Sequence, residues 1–235
     1  MVYQNKIFSI FIFSLVLIGF GSCSDSEDKG NQTSSPKTVN SQTTNNSSPS
    51  FQMNLPFTSD HEPFGIMPMG ETINHSPPEG HPGIDFQWPY EAPITTVADG
   101  EIVDIIYDEK NSSHSLQITT GEFMVQYEVT KFYDLYPSVK VGDRVLSGQT
   151  LGYAIPIGFG DGMHMIHWAF GEWMKHDSPF VTPEGIEMNY SVNYLCPVPY
   201  FTEREKIRLE KIWASASYNH KEQFPKLCNG FYEIK

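Results

Sequence analysis

From Ile94 to Val129 the chain repeats one pattern, a short run of β-branched and aromatic residues followed by a break of Gly, Asn, Asp or Ser. The runs are ITTV, EIVDIIY, HSLQITT and FMVQYEV, and the breaks between them are ADG, DEKNSS and GE. Runs this short, punctuated this often, suit antiparallel strands joined by tight connections. The segment VKVGDRVLSGQTLGY, residues 139–153, adds two glycine turns joined by Val145 and Leu146, which suits a loop folding back over a small barrel or sandwich. A further strand is expected from Met165 to Phe170, and the proline-rich stretch from Ser178 to Pro199 reads as irregular. From Thr202 the pattern changes. A threonine with Glu205 three residues on forms a capping-box signature, and Ile207, Ile212 and Trp213 follow at helical spacing. The expected fold is mainly β, an antiparallel barrel or sandwich with one C-terminal helix packed on it.

The first fifty residues do not read as part of that domain. Residues 7–20 form an apolar run behind Lys6, followed by Gly21, Ser22 and Cys23. This is the pattern of a secretory signal that ends in a lipid-modified cysteine, with residues 1–22 as signal peptide and Cys23 as the lipidation site. The rival reading is an uncleaved anchor, for which the run is short, since a bilayer span takes about 20 apolar residues. Both readings put the protein outside the cytoplasm, in the cell envelope and tethered to a membrane. Residues 23–55 read as a flexible tether of Ser, Thr, Asn, Gln and charge, 56–200 as the β domain and 201–235 as a helical segment. A net charge of -13 with no basic stripe excludes a nucleic-acid groove. With Cys23 lipidated, Cys196 and Cys228 remain as an even pair in a compartment that permits disulfides, and a bridge between them would pin the C-terminal segment to the domain.

Chemistry concentrates in two stretches. In HPGIDFQWPY, residues 81–90, His81 and Asp85 flank a Pro-Gly pair. A straight strand would hold the two α-carbons roughly 13 Å apart, so both can reach one ion only if the backbone bends, which Pro82 and Gly83 permit. The alternative is a capped turn beside a solvated histidine, and a third ligand from elsewhere would decide between them. The second stretch, GDGMHMIHWAFGEW at residues 160–173, carries His164 and His167. Their spacing of three, without a glutamate between, is not that of a helical zinc-protease motif. On a strand, residues three apart face opposite sides, so only one of them can share a site with His81 and Asp85 unless the strand bulges. His167 is the stronger candidate, because Trp168 and Phe170 then turn to the core.

His81-Pro82-Gly83-Ile84-Asp85, then APITTVADGEIVDI, then VKVGDRVLSGQTLGY, then a late histidine before an aromatic, in that order, resemble the lysostaphin-type zinc metalloendopeptidases over residues 65–172. The VKVGDRVLSGQTLGY segment also looks like part of biotinyl and lipoyl hybrid-motif barrels, but the modifiable lysine of such carriers is missing. The peptidase resemblance implies a barrel-like β sandwich, Zn2+ held by His81, Asp85 and His167, and substrates among the peptide cross-links of peptidoglycan. Two open-site accessory groups depart from the family pattern. The histidine expected two residues before the last ligand is Met165 here, and the histidine of a Tyr-x-His motif falls on Val129 in Tyr127-Glu128-Val129. A bulge at Met165 and Ile166 would bring His164 into the site as the catalytic group. Glu128, Asp161 and Glu172 are further candidate bases with a surface reading beside each. His75 lies on a loop that could fold over the metal, although an exposed loop histidine is the expectation there. His114, His176 and His220 read as solvated or capping. Three retained ligands imply an enzyme; two displaced accessory groups imply a domain that binds peptidoglycan or a cell-wall hydrolase partner without cutting.

Overall fold

In the computed structural model, residues 51–75, 79–108, 113–129, 139–156, 162–181 and 187–234 are described. The apolar run at 7–20, Cys23, the tether as far as residue 50 and Asp161 lie outside the described residues. The strands are β1 (Gly65–Met67), β2 (Ile84–Trp88), β3 (Pro93–Thr95), β4 (Gly100–Asp108), β5 (Ser113–Thr120), β6 (Phe123–Val129), β7 (Arg144–Val145), β8 (Thr150–Tyr153), β9 (Ile155–Pro156), β10 (His164–Val181) and β11 (Glu187–Tyr194), and helix α1 spans Glu203–Ser215. Among the described residues the main sheet runs β1-β2-β10-β6-β5-β4-β7, with β9 and β11 also paired to β10, while β3 and β8 form a second, two-stranded sheet. Among the described residues every ladder between these strands is antiparallel. The fold is the expected mainly-β architecture, with the main sheet open rather than closed into a barrel.

Alternation decides which face of the sheet is core. On β6, Phe123, Val125, Tyr127 and Val129 are buried on one side, and Gln126 and Glu128 between them are less so. The Tyr127 hydroxyl accepts the backbone N–H of Val97 at 3.0 Å, which ties the main sheet to the chain beyond β3. Trp88, Trp168, Phe86 and Phe170 fill the same core, where Phe57 packs edge-on against Phe86 and Trp88, and Trp168 stacks on Phe201. Full burial of a side chain such as Phe86 contributes roughly 1.5–3 kcal/mol.

Three expectations change. The stretch from Ser178 to Pro199 is not irregular throughout, because among the described residues β10 continues to Val181 and β11 runs beside it, pairing Gly171 with Tyr194 through Lys175 with Tyr190. Of its described prolines, Pro179 falls inside the register shift between Lys175 and Phe180, where a missing donor interrupts no ladder, and Pro197 and Pro199 lie in the short 3-10 turn after β11. On α1 the buried face is Glu205, Leu209 and Ile212, while Ile207 is exposed. Ile207 and Ile212 are five residues apart and so point about 140° away from each other, whereas Leu209 and Ile212 share a face. The core also crosses both expected boundaries, taking Met53 and Leu55 from before residue 56 and Leu209, Ile212, Leu227 and Tyr232 from after residue 200.

Thr202 caps α1 by accepting the Glu205 N–H at 3.3 Å. The Glu205 carboxylate turns instead to Arg204 and Arg208, each at 3.1 Å, so only half of the capping box forms. Cys196 and Cys228 are joined as a disulfide, which fixes the C-terminal segment beside β11. That segment in turn grips the chain after β1: Met69 donates its N–H to the Leu227 carbonyl at 2.9 Å, and Asn229 donates its own to the Met69 carbonyl at 3.0 Å.

Candidate metal centre

The bend at Pro82-Gly83 does what a straight strand could not. His81 precedes β2 and Asp85 lies within it, yet His81 Nε2 comes to 3.1 Å from Asp85 Oδ1. Asp85 is paired across the sheet with His167 of β10, so strand register brings the third group in, with His167 Nδ1 2.9 Å from Asp85 Oδ1 and 3.0 Å from His81 Nε2. All three side chains are buried. Gly83 is required by this closeness. A Cβ there would stand 2.5 Å from the Trp168 carbonyl oxygen and 2.8 Å from Cε1 of His167.

The donor chemistry fits zinc. Two imidazole nitrogens and one carboxylate oxygen are a zinc set, and tetrahedral coordination at 2.0–2.1 Å separates donors by roughly 3.3 Å, a few tenths more than the observed edges. His81 Nδ1 donates to the Pro68 carbonyl at 3.3 Å, which leaves the Nε2 lone pair for a metal. Burial alone would push the Asp85 carboxyl up, but the charge of His81 and the hydrogen bonds from His167 and His81 outweigh it and hold Asp85 well below the usual carboxylate range. For His167, burial opposes the charged form, and the hydrogen bond and charge of Asp85, with the charge of Glu128, raise it above its ordinary value.

The model of peptidase family M23 matches residues 79–178, a span that contains all three donors. The chain belongs to peptidase family M23. Solved structures similar to it include LytU (31% identity over 48% of this chain and 72% of that one, TM-score 0.34). The catalytic domain of the antimicrobial peptidase lysostaphin from Staphylococcus simulans is 22% identical over 48% of this chain and 78% of that one, with a TM-score of 0.34. A zinc-containing peptidase from Vibrio cholerae is 21% identical over 51% of this chain, with a TM-score of 0.39. The chain spans 36% of the length of that peptidase and 42% of the lysostaphin chain solved by NMR. No curated protein matches.

Around the three donors, the M23 domain departs from several expectations. β10 pairs with β2 without interruption from His164 to Trp168, so no bulge at Met165 and Ile166 turns His164 inward. His164 faces away from His167, and its Nδ1 donates to the Gly162 carbonyl at 3.0 Å. Met165 shares the face of His167 and has no proton to exchange. Val129 is fully buried in the core, on the side of Tyr127. The residue of β6 on the opposite, site-facing side is Glu128: Tyr127 pairs with Trp168, which places Glu128 on the side of His167, where its charge is felt. Glu172 is exposed, as its surface reading has it. His114 is buried beneath Tyr107, with ring centroids 4.8 Å apart, rather than solvated. His176 meets the Ser191 hydroxyl at 3.0 Å, and His220 is exposed.

The largest correction is His75. Its side chain is 8% exposed, its ring stacks on that of His81 with centroids 4.5 Å apart, and its Nδ1 lies 2.7 Å from Oε2 of Glu71. Burial and the nearby His81 hold His75 below its ordinary value of 6.5, against the pull of Glu71 and Asp85. Glu71 is fully buried, and its carboxylate also accepts the N–H of Ile73 at 2.7 Å and of Asn74 at 3.2 Å. Sequence reasoning did not raise Glu71. The spacing of four from Glu71 to His75 carries no signal in a loop, where no periodicity says which side chains meet.

Proposed function

We propose that this protein is a zinc metalloendopeptidase of the cell envelope that hydrolyses peptide cross-links of peptidoglycan or related peptides, held at a membrane by a lipid on Cys23. The observation that carries the reading is the triangle of buried donors, His81 Nε2, Asp85 Oδ1 and His167 Nδ1, with edges of 2.9–3.1 Å. A three-donor set leaves a coordination position open, as catalytic zinc requires and structural zinc does not. When bound, zinc supplies an acidified water and polarises a carbonyl. The chain's own part is to hold the donors: Asp85 and His167 by strand register, His81 by the Pro82-Gly83 bend and the Pro68 carbonyl. The apolar run at residues 7–20 and the Gly21-Ser22-Cys23 sequence behind it support the envelope assignment.

A second reading, a domain that binds peptidoglycan or a cell-wall hydrolase without cutting, is favoured by Met165 and Val129, neither of which can exchange a proton. Zinc analysis of the purified protein followed by incubation with purified cell wall and cross-linked stem peptides separates the two. New amino termini that disappear with His167→Ala or a chelator mark the peptidase. One equivalent of zinc without new amino termini marks the binding module, and a protein that takes up no zinc would exclude the metal centre itself.

A further inference from the structure

We infer that His75, oriented by Glu71, is an additional catalytic residue of this site, placed to take a proton from the water that attacks the scissile carbonyl. The inference rests on the peptidase reading above and names a group that the donor triangle itself does not supply.

Orientation is the first argument. The Glu71 carboxylate accepts from two backbone N–H groups as well as from His75, so Nδ1 of His75 is the donor in the 2.7 Å contact. That fixes the tautomer and leaves Nε2 as a lone-pair acceptor. No partner for Nε2 is found among the described residues. A carboxylate behind one nitrogen with the other held ready is the arrangement that prepares an imidazole for proton transfer.

Placement is the second. His75 stacks against a metal donor, His81, but stands outside the set His81, Asp85 and His167, whose donor atoms all lie within 4.8 Å of one another. It is therefore beside the centre without being part of its donor set, where a group acting on water or substrate belongs.

Rigidity is the third. Gly70 donates its N–H to the His81 carbonyl and His81 donates its own to the Glu71 carbonyl, both at 2.8 Å, so the segment carrying the dyad is laced to the residue it serves. On its other side it meets the C-terminal segment. Gly70 has φ +81°, and a Cβ there would fall 2.2 Å from the Asn229 carbonyl oxygen. A loop whose only task was to cover the sheet would not need a fully buried carboxylate, which is costly unless it is paired.

The step balances. As the water oxygen bonds to the carbonyl carbon, one of its protons passes to Nε2 of His75. When the carbon–nitrogen bond breaks, its electron pair goes to the amide nitrogen and the same proton follows, giving a free amine and a carboxyl group.

The test uses the full chain with His75→Ala, His75→Gly, Glu71→Gln and Glu128→Gln, reading zinc equivalents, thermal melting and the rate at which new amino termini appear from purified cell wall. His75→Ala is expected to keep one equivalent of zinc and lose about 10² to 10⁴-fold in cleavage. Added imidazole should restore part of the rate of His75→Gly, which a purely structural histidine would not allow, and Glu71→Gln should lose about 10 to 100-fold. Cleavage undiminished in His75→Ala, loss of zinc from it, or absence of imidazole rescue together with a full loss in Glu128→Gln would each overturn the inference while leaving the peptidase reading standing. A wild-type chain that binds zinc and cleaves nothing would remove that reading, and this inference with it.

Discussion

The donor triangle and the Glu71–His75 pair lie against each other but are held by different means. Asp85 and His167 face each other across the β2–β10 ladder, so their approach is set by register, and shifting either strand by one residue would turn its donor to the opposite face. Glu71 and His75 sit outside any strand, on a segment secured by backbone bonds to His81 and by the C-terminal segment behind the Cys196–Cys228 bridge. The first is as firm as the sheet. The second depends on a clamp that can be removed without touching the sheet, and this is what makes the two separable by experiment.

The largest expected effect strikes the triangle. Asp85→Asn removes the one anionic donor and should cost the protein its zinc, lowering the equivalents bound from one to near zero and abolishing cleavage, with the far-ultraviolet spectrum of the sheet retained. Full zinc in that variant would mean that the metal lies elsewhere. The same triangle predicts a pH dependence. His167 is raised above its ordinary 6.5, so in chain stripped of metal its contribution is fully present below about 6.5 and is lost as pH rises through the folded value. Asp85 is depressed below its ordinary 3.8, so its contribution is present above that and lost as pH falls through the folded value. The pair therefore stabilises the stripped chain most between about pH 4 and 6.5. Zinc competes with the proton for His167 Nδ1, so zinc should raise Tm far more at about pH 7.5 than at about pH 5. Equal increments at both would break the assignment of that nitrogen as a donor.

The clamp comes next. Its bridge closes a 32-residue separation, and opening it by Cys196→Ser with Cys228→Ser should cost about 3–4 kcal/mol, read as a lower denaturation midpoint. The comparison is sharpened by where the damage falls: zinc equivalents should survive while hydrogen exchange accelerates at Gly70 and Asn229. A loss of zinc in step with the bridge would show that the triangle also leans on the clamp. Smaller again is Gly83→Ala, whose methyl group would press on the Trp168 carbonyl and the His167 ring and should cost about 1–3 kcal/mol, with weakened zinc retention in a chelator titration.

What could be read from the chain follows the same division. The strands from Ile94 to Val129 were legible because alternation and turn residues act locally, and the three donors were legible because their spacing within HPGID and ahead of an aromatic is carried by the family pattern. β11 was hidden by the prolines around it, although Met188, Tyr190, Val192 and Tyr194 alternate as a strand should, because sequence does not say whether a proline falls inside a ladder or in its register shift. Glu71 was not legible at all, and His75 only as a loop histidine that could fold over the metal, not as a partner of Glu71. Their meeting depends on backbone bonds to His81 and on a segment more than 150 residues away in the chain, as the Asn229 to Met69 bond shows, and neither leaves a local pattern.

The smallest effect is expected at the residue that sequence reasoning placed in the catalytic role. His164 lies three positions before His167 on an uninterrupted strand, so its side chain leaves the opposite face of the sheet and bonds its own neighbour Gly162. His164→Ala removes one hydrogen bond at a partly exposed position, which is worth about 0.5–1.5 kcal/mol at most. It should leave zinc equivalents, cleavage rate and the pH dependence of zinc binding where they were. A fall of tenfold or more in cleavage would mean that β10 slips or bulges when substrate binds, and the division between a register-held triangle and a clamp-held dyad would have to yield to a strand that moves.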